Sequence, residues 1–143
     1  MDKKPVIIPE EIHLFKVDVI KTSINAEAFN KTKSHSLSVA HKMMHNLKDE
    51  RVKLELAFSF TDDNKVELLH FQLDFHFKIE KLEKFYNLNE QELPVFSGMF
   101  IATLLGICLS TARGIIFEKC NNNGIPNVLI PVVSPQKMLK KPN

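Results

Sequence analysis

The stretch from Asn89 to Asn123, NEQELPVFSGMFIATLLGICLSTARGIIFEKCNNN, constrains the fold more than any other part of the chain. Between Pro94 and Lys119 it carries Val95, Phe96, Met99, Phe100, Ile101, Leu104, Leu105, Ile107, Cys108, Leu109, Ile115, Ile116 and Phe117, which occupy nearly every face of a helix. A helix that is apolar all round has to be buried all round. The punctuation suits one long helix. Asn89 is placed to cap it, Glu90 and Glu92 suit its positive end, and Pro94 is tolerated only in a first turn. Gly124 is a natural left-handed stop.

A second pattern lies within the first. Gly98, Ala102, Gly106, Ser110 and Gly114 recur every four residues and make one ridge along the helix. Glycine inside a helix costs about 1 kcal/mol relative to alanine. Three glycines in one row therefore point to the close approach of another backbone, and the row is the expected oligomer interface. A membrane span is the competing reading. The uninterrupted apolar run, Val95 to Leu109, has 15 residues, whereas a span needs about 20. No membrane insertion is expected.

Ahead of the helix the periodicity changes to two. Leu69, Phe71, Leu73, Phe75, Phe77 and Ile79 alternate with His70, Gln72, Asp74, His76, Lys78 and Glu80, which predicts a strand over about 65–81 with one buried and one wet face. Similar alternation predicts strands over about 13–24, 35–47 and 52–61. Asp62-Asp63-Asn64 supplies a hairpin turn. Joined by short links, four such strands form an antiparallel meander in the simplest arrangement. The expected fold is α+β: that sheet, a crossover over 82–93, the long helix, a Pro-rich tail and a short last helix opened by Ser134 and Pro135. With 143 residues and 44% hydrophobic composition, the chain makes a single domain spanning 1–143, with a loose arm over 1–10 and a flexible tail over 140–143.

Composition excludes several functions. Net charge is +2 and there are only two arginines, Arg51 and Arg113, so no dense basic patch marks a nucleic-acid binder. The N-terminus lacks the apolar core of a signal peptide, and the cytoplasm is the expected compartment. Six histidines raise the question of a metal, but no Cys-x-x-Cys or His-Glu-x-x-His spacing occurs; no metal site is expected. Without a phosphate loop or dinucleotide fingerprint, no cofactor is expected either. Cys108 reads as core and Cys120 has no base placed beside it, so no catalytic residues are assigned and the chain does not read as an enzyme. Arg113 is the sole charge between Glu92 and Glu118; if buried, it needs a carbonyl or carboxylate to hold.

One four-stranded sheet covers one side of one helix. The remainder would leave an apolar patch larger than a soluble monomer tolerates, so a second subunit is expected to cover it.

At the helix and tail, Leu109-Ser110-Thr111-Ala112-Arg113-Gly114, the Gly124-Ile125-Pro126 turn and Val128-Leu129-Ile130-Pro131-Val132 resemble the C-terminal half of the SecB export chaperones. Ala112-Arg113 matches the Ala-Arg pair of that family, with Thr111 in place of its aromatic. The order of strands, crossover, long helix, tail and short helix matches over about 12–139. The resemblance implies a dimer of dimers with the long helices between two sheets. It also implies an ATP-independent holdase that keeps unfolded polypeptides in apolar grooves. Residues apparently spare to the core are then the expected client-binding set: Phe29, Leu82, Phe85, Tyr86, Val128, Ile130, Met138 and Leu139. Members of the family hand clients to SecA through carboxylates on the outer sheet, whereas Lys21–Asn25 here holds none. Related chaperones protect antitoxins, so both SecA and an antitoxin are candidate partners. An adaptor for one folded partner, or a small-molecule-binding protein, is the alternative that the same residues allow.

Overall fold

The computed structural model describes residues 6–132 and 134–139; the first half of the expected arm and the expected tail 140–143 lie outside them. The elements run in the order β1 (Ile12–Ile24), α1 (Ala26–Lys31), β2 (Ser36–Asn46), β3 (Arg51–Thr61), β4 (Glu67–Ile79), β5 (Tyr86–Leu88), β6 (Pro94–Phe96), α2 (Gly98–Asn122) and α3 (Pro135–Leu139). Single 3-10 turns precede β1, at Pro9–Glu11, and β5, at Leu82–Phe85.

The four long strands form one antiparallel sheet with α2 packed on it, the α+β architecture expected from the periodicity. The strand order is β1-β4-β3-β2, so the expected simple meander is corrected to a Greek-key arrangement. Two features explain this. The link between β1 and β2 holds α1, capped where the Asn25 side chain accepts from Ala28 N–H at 3.1 Å, and is long enough to cross the sheet. Asn25 N–H also donates to the Leu68 carbonyl at 2.9 Å, tying the end of β1 to β4. The two short links remain hairpins. In the second, Asp62 Oδ1 accepts from the N–H groups of Asn64 and Val66 at 2.8 and 2.9 Å.

This order places the two most apolar strands in the middle. Val52, Leu54, Leu56 and Phe58 of β3 and Leu69, Phe71, Leu73, Phe75, Phe77 and Ile79 of β4 are fully buried. They meet Phe100, Leu104, Leu105, Cys108, Ala112, Ile116 and Cys120 of α2 in one core. The opposite sheet face is polar. There Lys53 bridges Glu55 at 3.0 Å and Asp74 at 3.4 Å, and His76 meets Asp18 at 3.1 Å.

The long helix begins later than its sequence punctuation suggests. Asn89 does not cap it: Asn89 Oδ1 accepts from Gln91 and Leu93 N–H, both at 2.9 Å, closing a turn in which Glu92 has φ of 61°. That turn joins β5 to β6. Pro94 favours extended backbone in the residue before it, and the Tyr86 and Phe96 rings meet across the ribbon at 5.4 Å. Ser97 is the real cap, accepting from Phe100 N–H at 3.4 Å. At the far end, Gly124 has φ of 81°, the left-handed stop expected of it.

Among the described residues, α2 is the one helix long and apolar enough by length and composition to cross a membrane. In this fold nine of its residues are buried, most of them against the sheet and the crossover.

Candidate functional site

The site is built from three pieces that converge near the start of β2. The first is α1, which presents Phe29. Its ring stacks on His35 with centroids 3.9 Å apart and planes 5° apart, and meets Phe60 edge-on at 6.2 Å. The second is the sheet end, with Leu37 of β2 and Phe60 of β3. The third is the tail after Gly124, where side chains alternate: Ile125, Val128 and Ile130 are buried, whereas Leu129 is 62% exposed and Val132 is 90% exposed. Together they line an open cleft of about 580 Å³, bounded by Phe29, His35, Leu37, Phe60, Val128 and Leu129, with Pro126 and Pro131 at its ends. Most of the lining side chains are apolar, but polar atoms contribute about half of the exposed lining, and its one titratable side chain is His35. Such a cleft can hold apolar side chains of a larger molecule, but it carries no group placed for acid–base or nucleophilic chemistry.

Arg113 fixes the tail. The side chain is half-buried, and its Nε donates to the Ile130 carbonyl at 2.9 Å. Ile130 is 2% exposed, so losing the donor strands a buried acceptor. Arg113→Met is expected to cost about 1–3 kcal/mol and to speed amide hydrogen exchange in the tail around Ile130. Unchanged melting and exchange would mean that packing alone holds the tail.

The expected client-binding residues fall into three groups, with Val128 in two of them. Phe29 and Val128 line the cleft. Leu82, Phe85, Val128 and Ile130 are between 1% and 6% exposed and belong to the core, so the reading of these four as spare to the core is corrected. Tyr86, Met138 and Leu139 are half-buried, packed against the core from the crossover and from α3. Leu37, Phe60 and Leu129 were not anticipated in the site. Phe60 and Leu37 look like ordinary core positions of alternating strands. The parity of Val128-Leu129-Ile130 was the available signal for Leu129: two buried neighbours leave the middle residue outward.

A second apolar strip was also missed. Leu88, Leu93 and Val95 on the β5–β6 ribbon and Met99 at the start of α2 are each more than half exposed. It adjoins the start of the small-residue row. On that row Ala102 is 3% exposed and belongs to the protomer's own core, and Gly106 sits under α3, where an added Cβ would lie 3.8 Å from Pro135 Cγ. Gly98, Ser110 and Gly114 face outward; a Cβ at Gly98 or Gly114 would meet nothing within 4 Å. All-round burial of the helix is therefore not reached within one protomer.

The thiols are poorly placed for chemistry. Burial pushes Cys108 far above the ordinary thiol range and Cys120 up to about 11, so both are neutral thiols at physiological pH.

No family model matches the chain, and no curated protein matches it. Nine chains of known structure do. One is a SecB-like chaperone of Mycobacterium tuberculosis, solved in complex with a ChAD peptide from the HigA1 antitoxin. It superposes with a TM-score of 0.58 at 12% identity, over 88% of this chain and 92% of that one. The fold is SecB-like. At this identity the agreement lies in architecture, a four-stranded antiparallel sheet with a long helix and a short C-terminal helix.

Proposed function

We propose that this chain is a divergent SecB-like chaperone, an ATP-independent holdase that binds non-native polypeptide through exposed apolar surface. The observation that carries this reading is the open cleft at Phe29, Leu37, Val128 and Leu129. Most of its lining side chains are apolar, although polar atoms make up about half of its exposed surface, and it is continuous with the exposed tail residue Leu129. The shared fold with a chaperone solved on an antitoxin peptide supports the same reading. On this proposal the working form is a cytoplasmic homo-oligomer, a dimer of dimers, in which the outward side of α2 packs through Gly98, Ser110 and Gly114. No cofactor or nucleotide enters the cycle. The client is an antitoxin or another unstable chain. Delivery to SecA is the less supported route, because the polar sheet face pairs its carboxylates Asp18, Glu55 and Asp74 with Lys16, Lys53 and His76 and presents no acidic surface.

The test is direct. Purified protein without nucleotide should slow the aggregation of several unrelated unfolded proteins. Leu129→Asp should weaken that activity several-fold while leaving melting unchanged, because Leu129 is already more than half exposed. Binding of a single folded partner, with no suppression of aggregation by excess protein, would favour the adaptor reading instead.

A further inference from the structure

The polar face of the sheet holds a second open cleft, of about 400 Å³, whose lining includes Phe15, Lys16, Met44, Arg51, Lys53 and His76. The registers place it. Met44 sits opposite Lys53, Lys53 opposite His76 and His76 opposite Lys16, so one row of side chains crosses all four strands. Arg51 lies two residues before Lys53 on the same face of β3. Strict alternation would leave no aromatic ring here. The register shift between Leu14 and Lys16 inserts one extra residue in β1, so Phe15 turns to the polar face beside Lys16 while Leu14 packs against the core. Re-aiming a side chain is what such a bulge does. As a result Phe15, 50% exposed, and Met44, 44% exposed, supply apolar surface from the two outer strands, with charged groups of the middle strands between them.

The fixed charges of the cleft are matched, with one exception. Lys16 meets Asp18 at 3.6 Å, and the His76 ring meets the same carboxylate at 3.1 Å. Lys53 is held by Glu55 at 3.0 Å and by Asp74 at 3.4 Å. Among the described residues Arg51 makes no ion pair. The carboxylates of the preceding turn are engaged elsewhere, Asp49 by Asn46 at 3.0 Å and Glu50 by Lys78 at 3.8 Å. The Arg51 guanidinium lies instead over the Phe15 ring, 5.4 Å from its centroid, and that ring also meets His76 at 6.1 Å. A guanidinium held by a ring face keeps its in-plane N–H fork for another acceptor, and the fork matches a carboxylate. Among the described residues no carboxylate lines the cleft to occupy it.

We propose that this cleft binds a small organic acid that carries one carboxylate on an aromatic body. The carboxylate takes the Arg51 fork, and the body lies on Phe15 and Met44, where rings and the guanidinium offer flat surfaces. The volume is that of a small-molecule site. The charge count selects a monoanion. One unmatched cation is present, and a phosphate dianion would have to draw Lys16 or Lys53 from its own carboxylate. An acidic peptide is disfavoured on the same ground, because its further carboxylates would face Asp18, Glu55 and Asp74. The site lies on the opposite sheet face from the cleft at Phe29 and Leu37, so it does not rest on the holdase reading.

The experiment titrates the full chain with phenylbutyrate, naphthoate and indoleacetate, each beside its uncharged amide, and follows the backbone N–H signals by NMR. At least one of the acids should saturate at millimolar concentration or below and shift the signals of Phe15, Met44, Arg51 and Lys53. Its amide should bind at least about tenfold more weakly, the scale of one charge-assisted hydrogen-bonded pair. Arg51→Gln should cost the acid about tenfold and leave the amide unchanged, whereas Arg51→Lys, which keeps the charge and loses the fork, should recover only part of the loss. Phe15→Ser should weaken acid and amide alike. Arg51 and Phe15 are both exposed, so melting of these variants should match the parent. No saturable shift from any of the three acids, equal binding of acid and amide, or shifts confined to the residues around Phe29 and Leu129 would overturn the proposal. So would phenyl phosphate or a Glu-rich peptide binding about tenfold more tightly than the best acid, which would make the cleft a site for multiple charges.

Discussion

Replacing Gly114 with leucine is expected to break the proposed assembly into smaller species without weakening the protomer. The two effects have opposite signs, which makes the experiment decisive. Within one protomer a Cβ at Gly114 meets nothing within 4 Å, so the larger side chain has open space. Leucine also restricts the unfolded chain and suits a helix better than glycine, a gain of about 0.5–1 kcal/mol. A monomer would therefore melt at the same or a higher temperature. If the row is a line of close backbone approach, the same side chain enters the contact, and overpacking costs about 1–3 kcal/mol at each copy of the site. Around a two-fold axis it acts twice. Sedimentation velocity reads the outcome: a shift to dimer or monomer with melting retained supports the interface. An unchanged sedimentation coefficient would show that the row is merely exposed. Gly106 is the poorer test despite its central place, because leucine there would press on Pro135 and disturb α3 before any partner was involved. Ala102, already covered within the protomer, tests nothing about assembly.

The fold was legible where periodicity was strict and long. Period-two alternation in β3 and β4 located both strands to within about two residues, because a one-residue slip would turn every phenylalanine to water. The long helix was equally plain in its body. Its start was not, because Asn89, Glu90, Glu92 and Pro94 satisfy a helix start and a tight turn alike. The tertiary pairing of Tyr86 with Phe96 decided between them. Strand order was hidden for a similar reason. The contact that draws β1 to β4 is a backbone bond from Asn25 to Leu68, and backbone bonds leave no mark on residue identity. The candidate site was half legible. Phe29 stood out as a lone aromatic in a polar loop, and Arg113 as a lone charge in an apolar helix. Leu82 and Phe85 stood out too, but hydrophobicity alone does not distinguish a residue that waits for a partner from one that pins a crossover to its own core.

That distinction leads to Phe100. Its ring is fully buried and stacks on Phe85 at 4.5 Å, with planes 9° apart; the Phe96 ring of β6 lies 5.9 Å from it. Polar ties help hold the crossover: Ser97 N–H donates to the Phe85 carbonyl at 2.8 Å, Leu82 N–H to Glu50 Oε2 at 3.2 Å, and Lys84 bridges Glu11 at 3.3 Å. Phe100 supplies the main aromatic contact under the crossover. Phe100→Ala is expected to remove about 3–5 kcal/mol, the usual cost of a large cavity in a packed core. A domain of this class has only about 5–15 kcal/mol in total. Denaturant unfolding should show the loss in the midpoint, and Phe100→Leu should recover roughly half of it by refilling the space. Exchange should rise first over residues 82–97, because the crossover loses its anchor while the sheet keeps its own. A loss below about 1 kcal/mol would mean that neighbouring side chains collapse into the gap and that the stack is dispensable. The same variant bears on client binding. Leu82 and Phe85 are covered in the resting fold, so they can meet a client only if the crossover lifts. Tighter client binding by Phe100→Ala than by the parent, at a temperature where both remain folded, would place these two residues in a groove that opens. Unchanged binding would leave them as core and confine the client to the cleft at Phe29 and Leu129.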